Sequence, residues 1–201
     1  MTKADIRTYY PVDVIETLDG FPVTRSARDF EDYQWWMSDL MVNNDVVLLG
    51  AFMGSGKTAT ALHAARKLLD QGKIKKVLVV APLNVAKDTW PDELLVWDFA
   101  RRFTYTVIVG DAEQREEAAR KDVELYIVNR ENYGWLYEMI GVRGWKFDLM
   151  IYDEASRLKE GDKKTKPTVR KDGSVGRSRR SHFGYLTQTR HKFKRVWELS
   201  G

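Results

Sequence analysis

LLGAFMGSGKTATAL, residues 48–62, decides how the rest of the chain is read. Leu48 and Leu49 lead into a loop holding Gly50, Gly54 and Gly56, followed at once by Lys57, Thr58 and a helix-forming run. The loop follows the phosphate-binding pattern G-x-x-x-x-G-K-[ST], with Ala51 in place of the first glycine. That change leaves the chemistry intact. Gly54 and Gly56 let backbone N–H groups turn toward phosphate oxygens, and the following helix offers its positive N-terminus. Met53 and Ser55 fill the loop, Lys57 is suited to neutralise the β- and γ-phosphates of ATP, and the Thr58 hydroxyl to ligate Mg²⁺. The bland alternative, a glycine-rich strand–helix turn with no ligand, is disfavoured by the strand-like VVLL (46–49) on one side and the helix on the other.

Such a site needs a carboxylate at the end of a second strand, and FDLMIYDEAS (147–156) supplies one. Its apolar run delivers Asp153 and Glu154 to the C-terminal edge of a sheet, where ligands bind in open α/β folds. Asp153 is placed to hold Mg²⁺ and Glu154 to polarise an attacking water. Four further runs have strand character: KVLVVA (76–81), TYTVIVG (104–110), ELYIV (124–128) and KRVWELS (194–200). Their near-continuous apolar composition predicts strands buried on both faces. Helix-forming stretches lie between them: TATALHAARKLLD, DAEQREEAARK and ENYGWLYEMI, the first with Gly72 as a C-cap signal. Strand–helix alternation predicts a three-layer α/β domain with a mostly parallel sheet.

The 201 residues suffice for one well-cored domain, and 43% hydrophobic with 31% charged residues is a globular composition. The chain has no cysteine, which excludes disulfides and thiolate metal sites. No apolar run reaches bilayer length and MTKADIRTYY has no secretory core, so a membrane is not expected as a partner and a cytoplasmic location is. Charge is unevenly placed: residues 163–195 carry 12 Lys/Arg against Asp172 alone, +11 against −7 for the remainder. A polyanionic partner or a solvated loop would each explain that imbalance. Residues 1–27 read as an irregular N-terminal extension, and residues 160–182 as a basic loop inserted in the domain. His63, His182 and His191 lack metal-ligand spacing, and most of the seven tryptophans read as packing residues.

Taken together, these residues resemble the first motor domain of a superfamily 2 helicase or translocase, a RecA-like ATP-binding fold. AFMGSGKT resembles motif I, with Met53 more like the Swi/Snf-type translocases than the DEAD-box proteins, and DEAS (153–156) resembles motif II. RDFEDYQWW resembles the segment whose glutamine reads the adenine edge, which implies Gln34 in that role. VLVVAPLNVAKDTWPDEL (77–94) is similar to motif Ia, implying backbone contacts to nucleic acid from Pro82, Leu83 and Asn84. YIVNRENYGWL (126–136) looks like the T-x-Y-E stretch, from which Asn129 and Arg130 depart. WELSG (197–201) looks like the start of motif III, implying that Ser200 and Gly201 couple nucleotide state to nucleic-acid grip. The resemblance spans about residues 28–201, and several words look most like helicases encoded by bacteriophages, whose place is the host cytoplasm.

The resemblance implies a nucleic-acid partner, DNA before RNA, and a second RecA-like domain, in cis or in trans, that brings the arginine fingers. This domain alone is therefore expected to bind ATP–Mg²⁺ and hydrolyse it slowly. Arg177, Arg179 and Arg180 of the basic loop are candidate phosphate contacts. Two other readings stay open: a nucleic-acid-binding ATP switch or scaffold without motor activity, and a phosphate-loop kinase, for which lid and acceptor residues are not found.

Overall fold

The computed structural model describes residues 25–141, 143–154 and 182–201. Helix α1 (Asp32–Asn43) leads into β1 (Val46–Gly50), and α2 (Lys57–Asp70) into β2 (Val77–Ala81). A π-turn over Val85–Thr89 runs straight into α3 (Trp90–Val96), followed by β3 (Tyr105–Ile108), α4 (Ala112–Arg120) and β4 (Leu125–Asn129). Then come α5 (Arg130–Ile140), β5 (Leu149–Asp153), α6 (His182–Thr189) and β6 (Arg195–Ser200). The six strands form one sheet in the order β1-β6-β5-β2-β4-β3, and every pair is parallel. The α/β class and the six apolar runs read as strands are both borne out.

Alternation along the strands separates two cores. Val77, Val79, Leu149, Ile151, Trp197 and Leu199 face the layer of α1, α2 and α3, while Leu78, Val80, Met150, Tyr152 and Val196 face that of α4, α5 and α6. The buried apolar runs follow from this, since a strand covered on both faces has no polar side to show. Strand β1 departs from the expectation. It lies at the sheet edge with Val47 and Leu49 buried, but Val46 and Leu48 are 65% and 69% exposed.

Helix α2 packs with nearly its whole circumference in the core, helped by the small buried residues Ala59, Thr60, Ala61, Ala64 and Ala65. It ends in a Schellman cap: the N–H groups of Gly72 and Lys73 donate to the carbonyls of Leu69 and Leu68, with Gly72 at φ 67°. Against α1 it buries His63, whose Nδ1 is 2.7 Å from the Ser38 hydroxyl. Phe30, Trp35 and Phe99 surround that ring edge-on at centroid distances of 5.4, 5.1 and 5.0 Å. Burial first, and then the Lys67 charge, push the imidazole below its ordinary value, while Asp39 and Asp98 oppose them. The unfolded chain therefore binds the proton more readily, so the stability present above pH about 6.5 is lost as pH falls from there through the lower folded-state value. Thermal unfolding should show a melting temperature that drops from about pH 7.5 to about pH 5.5, with a smaller drop in His63→Gln. Equal slopes for the two proteins would overturn this assignment.

Arg25, read as part of the N-terminal extension, is bonded to the segment after α3. Arg25 N–H donates to Val96 O, Asp98 N–H donates to Arg25 O, and the Arg25 guanidinium lies 5.5 Å from the centre of the Trp97 ring. The N-terminal extension before Arg25 and most of the basic loop, including Arg177, Arg179 and Arg180, lie outside the described residues. His182, placed at the end of that loop, instead opens α6. Helix α6 packs on α5, where Gly134 admits the Tyr185 ring so closely that a Cβ would stand 2.6 Å from it. The basic segment also loses members to the fold: Lys194 pairs with Asp148, and Arg195 pairs with Asp45 while donating to Val42 O and Asn44 O. These contacts sit at the N-terminal ends of the strands, on the opposite side from the phosphate loop.

Candidate nucleotide site

All six strands point their C-terminal ends to one edge. Because β6 lies between β1 and β5, the loop after β1, the end of β6 and the end of β5 are immediate neighbours. Gly50 pairs with Ser200 and Leu199 with Asp153 in register, and Ala51 N–H donates to Ser200 O at 3.0 Å. The three segments that resemble motifs I, II and III thus meet through backbone contacts.

Within the loop, Gly54 and Gly56 take φ of 82° and 78°, a conformation in which any other residue is strained. Gly56 is the N-cap of α2, so the N–H groups of that first turn face the loop. The Lys57 ammonium folds back to donate to Ala51 O at 2.5 Å and Phe52 O at 2.9 Å. Burial lowers its pKa, and the field of Asp153 opposes that shift. Ser55 is 1% exposed, and its hydroxyl is buried without a hydrogen-bond partner. Buried hydroxyls are seldom left so, and one inside a loop of this shape points to a ligand oxygen. Phe52 and Met53 stand exposed at the rim, and Thr58 lies half-buried in the first turn of α2. Gly201 approaches the same place: a Cβ there would be 3.2 Å from Ala51 O and from Lys57 Nζ.

Asp153 closes β5 at 8% exposure. Its two oxygens accept from different sides, Oδ2 from the Trp90 indole N–H and Oδ1 from the Glu154 N–H, both at 2.9 Å. Burial pushes this carboxyl up, and those two donors pull it back toward the charged form. Glu154 follows at φ 57°, the only positive φ outside glycine among the described residues. Trp90 and its hydrogen bond were not legible in the sequence. The indole belongs to the W-x-x-E-L stretch after motif Ia, and nothing in that pattern says which group it reaches.

Gln34 sits against the loop. Its Nε2 donates to Ser55 O at 3.1 Å, and its Oε1 accepts from Glu31 N–H at 2.9 Å, closing a capping box on α1. The amide is therefore tied to the phosphate loop. On the same helix Tyr33 and Trp36 are 44% and 63% exposed, so Trp36 is an exception to the reading of tryptophans as packing residues. Trp90, Trp97 and Trp197 follow it. Pro82, Leu83 and Asn84 leave β2 at the same sheet edge, with Leu83 and Asn84 exposed.

The residues present fit ATP and Mg²⁺. The loop offers inward backbone donors, one lysine and an unpartnered buried hydroxyl for phosphate oxygens. For a hard cation, Asp153 and Thr58 give oxygen ligands of the kind Mg²⁺ takes alongside phosphate and water.

A parallel six-stranded sheet in this order, with helices packed on both faces, is a RecA-like fold. The chain belongs to the SNF2-related domain family, whose model matches residues 33–177. It is 41% identical over 111 residues to putative protein p41 of Acyrthosiphon pisum secondary endosymbiont phage 1, a match covering 54% of this chain and 24% of that protein. It is 28% identical over 148 residues to chromodomain-helicase-DNA-binding protein 1-like of Danio rerio, covering 70% of this chain and 14% of that protein. The matched region thus spans about a quarter or less of either relative's length. Among solved structures, the Sulfolobus solfataricus SWI2/SNF2 ATPase core in complex with dsDNA superposes with a TM-score of 0.62 at 19% identity, over 93% of this chain and 34% of that one. A hypothetical ATP-dependent RNA helicase from Sulfolobus tokodaii gives 0.57 at 19% identity, over 90% of this chain and 47% of that one. Among the described residues no helix is long and apolar enough to cross a membrane.

Proposed function

We propose that this domain is the ATP-binding half of an ATP-dependent DNA helicase or translocase. The observation that carries the reading is the meeting of three segments at one sheet edge: the phosphate loop with its unpartnered Ser55 hydroxyl, Asp153–Glu154, and Ser200–Gly201. In this reading Lys57 leaves the carbonyls of Ala51 and Phe52 for the β- and γ-phosphates. Gly54, Ser55 and Gly56 donate to phosphate oxygens, and Gln34 orients the base. Thr58 and Asp153 hold Mg²⁺, which when bound supplies the charge that offsets the developing negative charge on phosphate. Glu154 orients and polarises the attacking water. Ser200 and Gly201, touching the phosphate loop, report its state to the nucleic-acid side.

DNA is the expected track, since the SWI2/SNF2 ATPase core of similar fold was solved with dsDNA. Pro82, Leu83 and Asn84, with Arg177, Arg179 and Arg180, are the proposed backbone contacts. A second RecA-like domain, in cis or in trans, would supply the arginine finger and raise the rate by about 10³–10⁵. Titration with ATP–Mg²⁺ tests the pocket: Lys57→Ala should weaken affinity by roughly 10–100-fold, the worth of one charge-assisted contact. Equal affinity of the two proteins would refute the reading.

A further inference from the structure

Arg130 opens α5 directly after β4, two strands away from β5 in the sheet order. Its side chain is 11% exposed, too buried to serve a long polyanion at the surface. The guanidinium lies 5.2 Å from the centre of the Tyr152 ring. One of its nitrogens, Nη2, donates both to Asp153 O at 2.5 Å and to Glu154 O at 2.8 Å. The same nitrogen is 3.8 Å from the Glu154 carboxylate.

That pair of hydrogen bonds to consecutive carbonyls constrains the backbone. Along an extended strand neighbouring carbonyls point to opposite sides, so one donor cannot take both. They converge only if the chain turns between them, and here it turns at Glu154, with φ 57°. For an L-residue with a long side chain this conformation is disfavoured by the clash of Cβ with the carbonyl, and it persists where neighbouring groups hold it. Two hydrogen bonds from a buried cation, with Glu154 N–H returning to Asp153 Oδ1, are such a hold. The cation is fixed in turn by Tyr152 beneath it. Asn129, before Arg130, donates to Glu131 and accepts from Asn132, which accepts from Arg115, so the start of α5 is braced as well.

We infer that Arg130 is a positioning residue for Glu154: it pins the turn after β5 and so fixes where the Glu154 carboxylate stands at the sheet edge. This rests on the hydrolytic reading above only for its effect on turnover; the tether itself is a property of the unliganded chain. It also accounts for the departure from T-x-Y-E at this point. An arginine whose nitrogens face inward serves the carboxylate pair rather than a nucleic-acid backbone.

The test has two readouts on the whole chain. In the nucleotide-free protein, the three-bond HN–Hα coupling and Cα shift of Glu154 should report the left-handed backbone, move toward extended values in Arg130→Met, and return in Arg130→Lys. In single-turnover ATP hydrolysis, Arg130→Met should be slowed about 10–100-fold with ATP affinity changed less than about threefold, and Arg130→Lys should recover part of the rate. Glu154→Gln serves as the reference. A Glu154 backbone unchanged in Arg130→Met overturns the inference, as does wild-type turnover in Arg130→Met where Glu154→Gln is inactive. Wild-type turnover in Glu154→Gln would instead remove the hydrolytic reading, leaving the backbone readout to decide the tether. Should Arg130→Met not fold, the unaltered protein decides: Arg130 is expected to show distinct, slowly exchanging Nη protons, and one averaged signal would overturn the inference.

Discussion

Glu154→Gln is expected to lower ATP turnover by about 10²–10⁴-fold, the usual worth of a positioned general base, with ATP–Mg²⁺ affinity changed less than about threefold. The substitution keeps the shape of the side chain and removes its charge. In the proposed reading affinity is set elsewhere, by Lys57, the loop N–H groups and the Asp153 carboxylate, and Asp153 keeps both of its donors because they are the Trp90 indole and a backbone N–H. The Glu154 side chain is 41% exposed beside a buried Asp153, as suits a group that meets water rather than a metal. Single-turnover hydrolysis and equilibrium nucleotide binding, measured on the same preparations, separate the two effects. Loss of affinity in step with loss of rate would show that Glu154 holds the nucleotide, and an undiminished rate would remove it from the chemistry altogether.

The parts of this site legible in the sequence are those where residue type, spacing and strand ends coincide. AFMGSGKT could be read because glycines, lysine and threonine are each required by phosphate chemistry, and FDLMIYDE because an apolar run must end where its carboxylates begin. The parallel sheet was legible for the same reason: buried strands have no polar face. What could not be read is side-chain reach. Nothing local distinguishes Trp90 from any other core tryptophan until the order β5-β2 brings its indole N–H to Asp153, 63 residues away. Arg130 read as a departure from a familiar pattern, and its bonds to Asp153 O and Glu154 O depend on a turn that no propensity predicts. Strand β1 misled in the other direction. Its apolar Val46 and Leu48 read as core, but the edge position leaves them exposed. Helix α6 was missed because its sequence, HFGYLTQT, has no apolar period of its own and is held by Tyr185 and Leu186 packing on α5.

Gly56→Ala is expected to destabilise the domain by roughly 2–3 kcal/mol and to disable the phosphate loop, for two separable reasons. The first is conformational: φ at this N-cap is 78°, and an alanine held there costs about 1–2 kcal/mol. The second is a collision. A Cβ at residue 56 would stand 2.1 Å from Gln34 Nε2, so the amide must swing away and give up its bond to Ser55 O, worth about 0.5–1.5 kcal/mol. For a domain of this size the sum lowers the melting temperature by about 4–12 °C. ATP affinity should fall with it, because the same movement turns the loop N–H groups off target and unseats Gln34. The two causes can be told apart with Gln34→Ala. That change alone loses the bond to Ser55 O and the capping bond from Glu31 N–H, but combined with Gly56→Ala it also removes the atom the new methyl would strike. The double variant should therefore lose clearly less than the two single losses summed, a failure of additivity between residues in contact. Strictly additive losses would mean that Gln34 and Gly56 do not meet, and that α1 and the phosphate loop are not coupled through this contact.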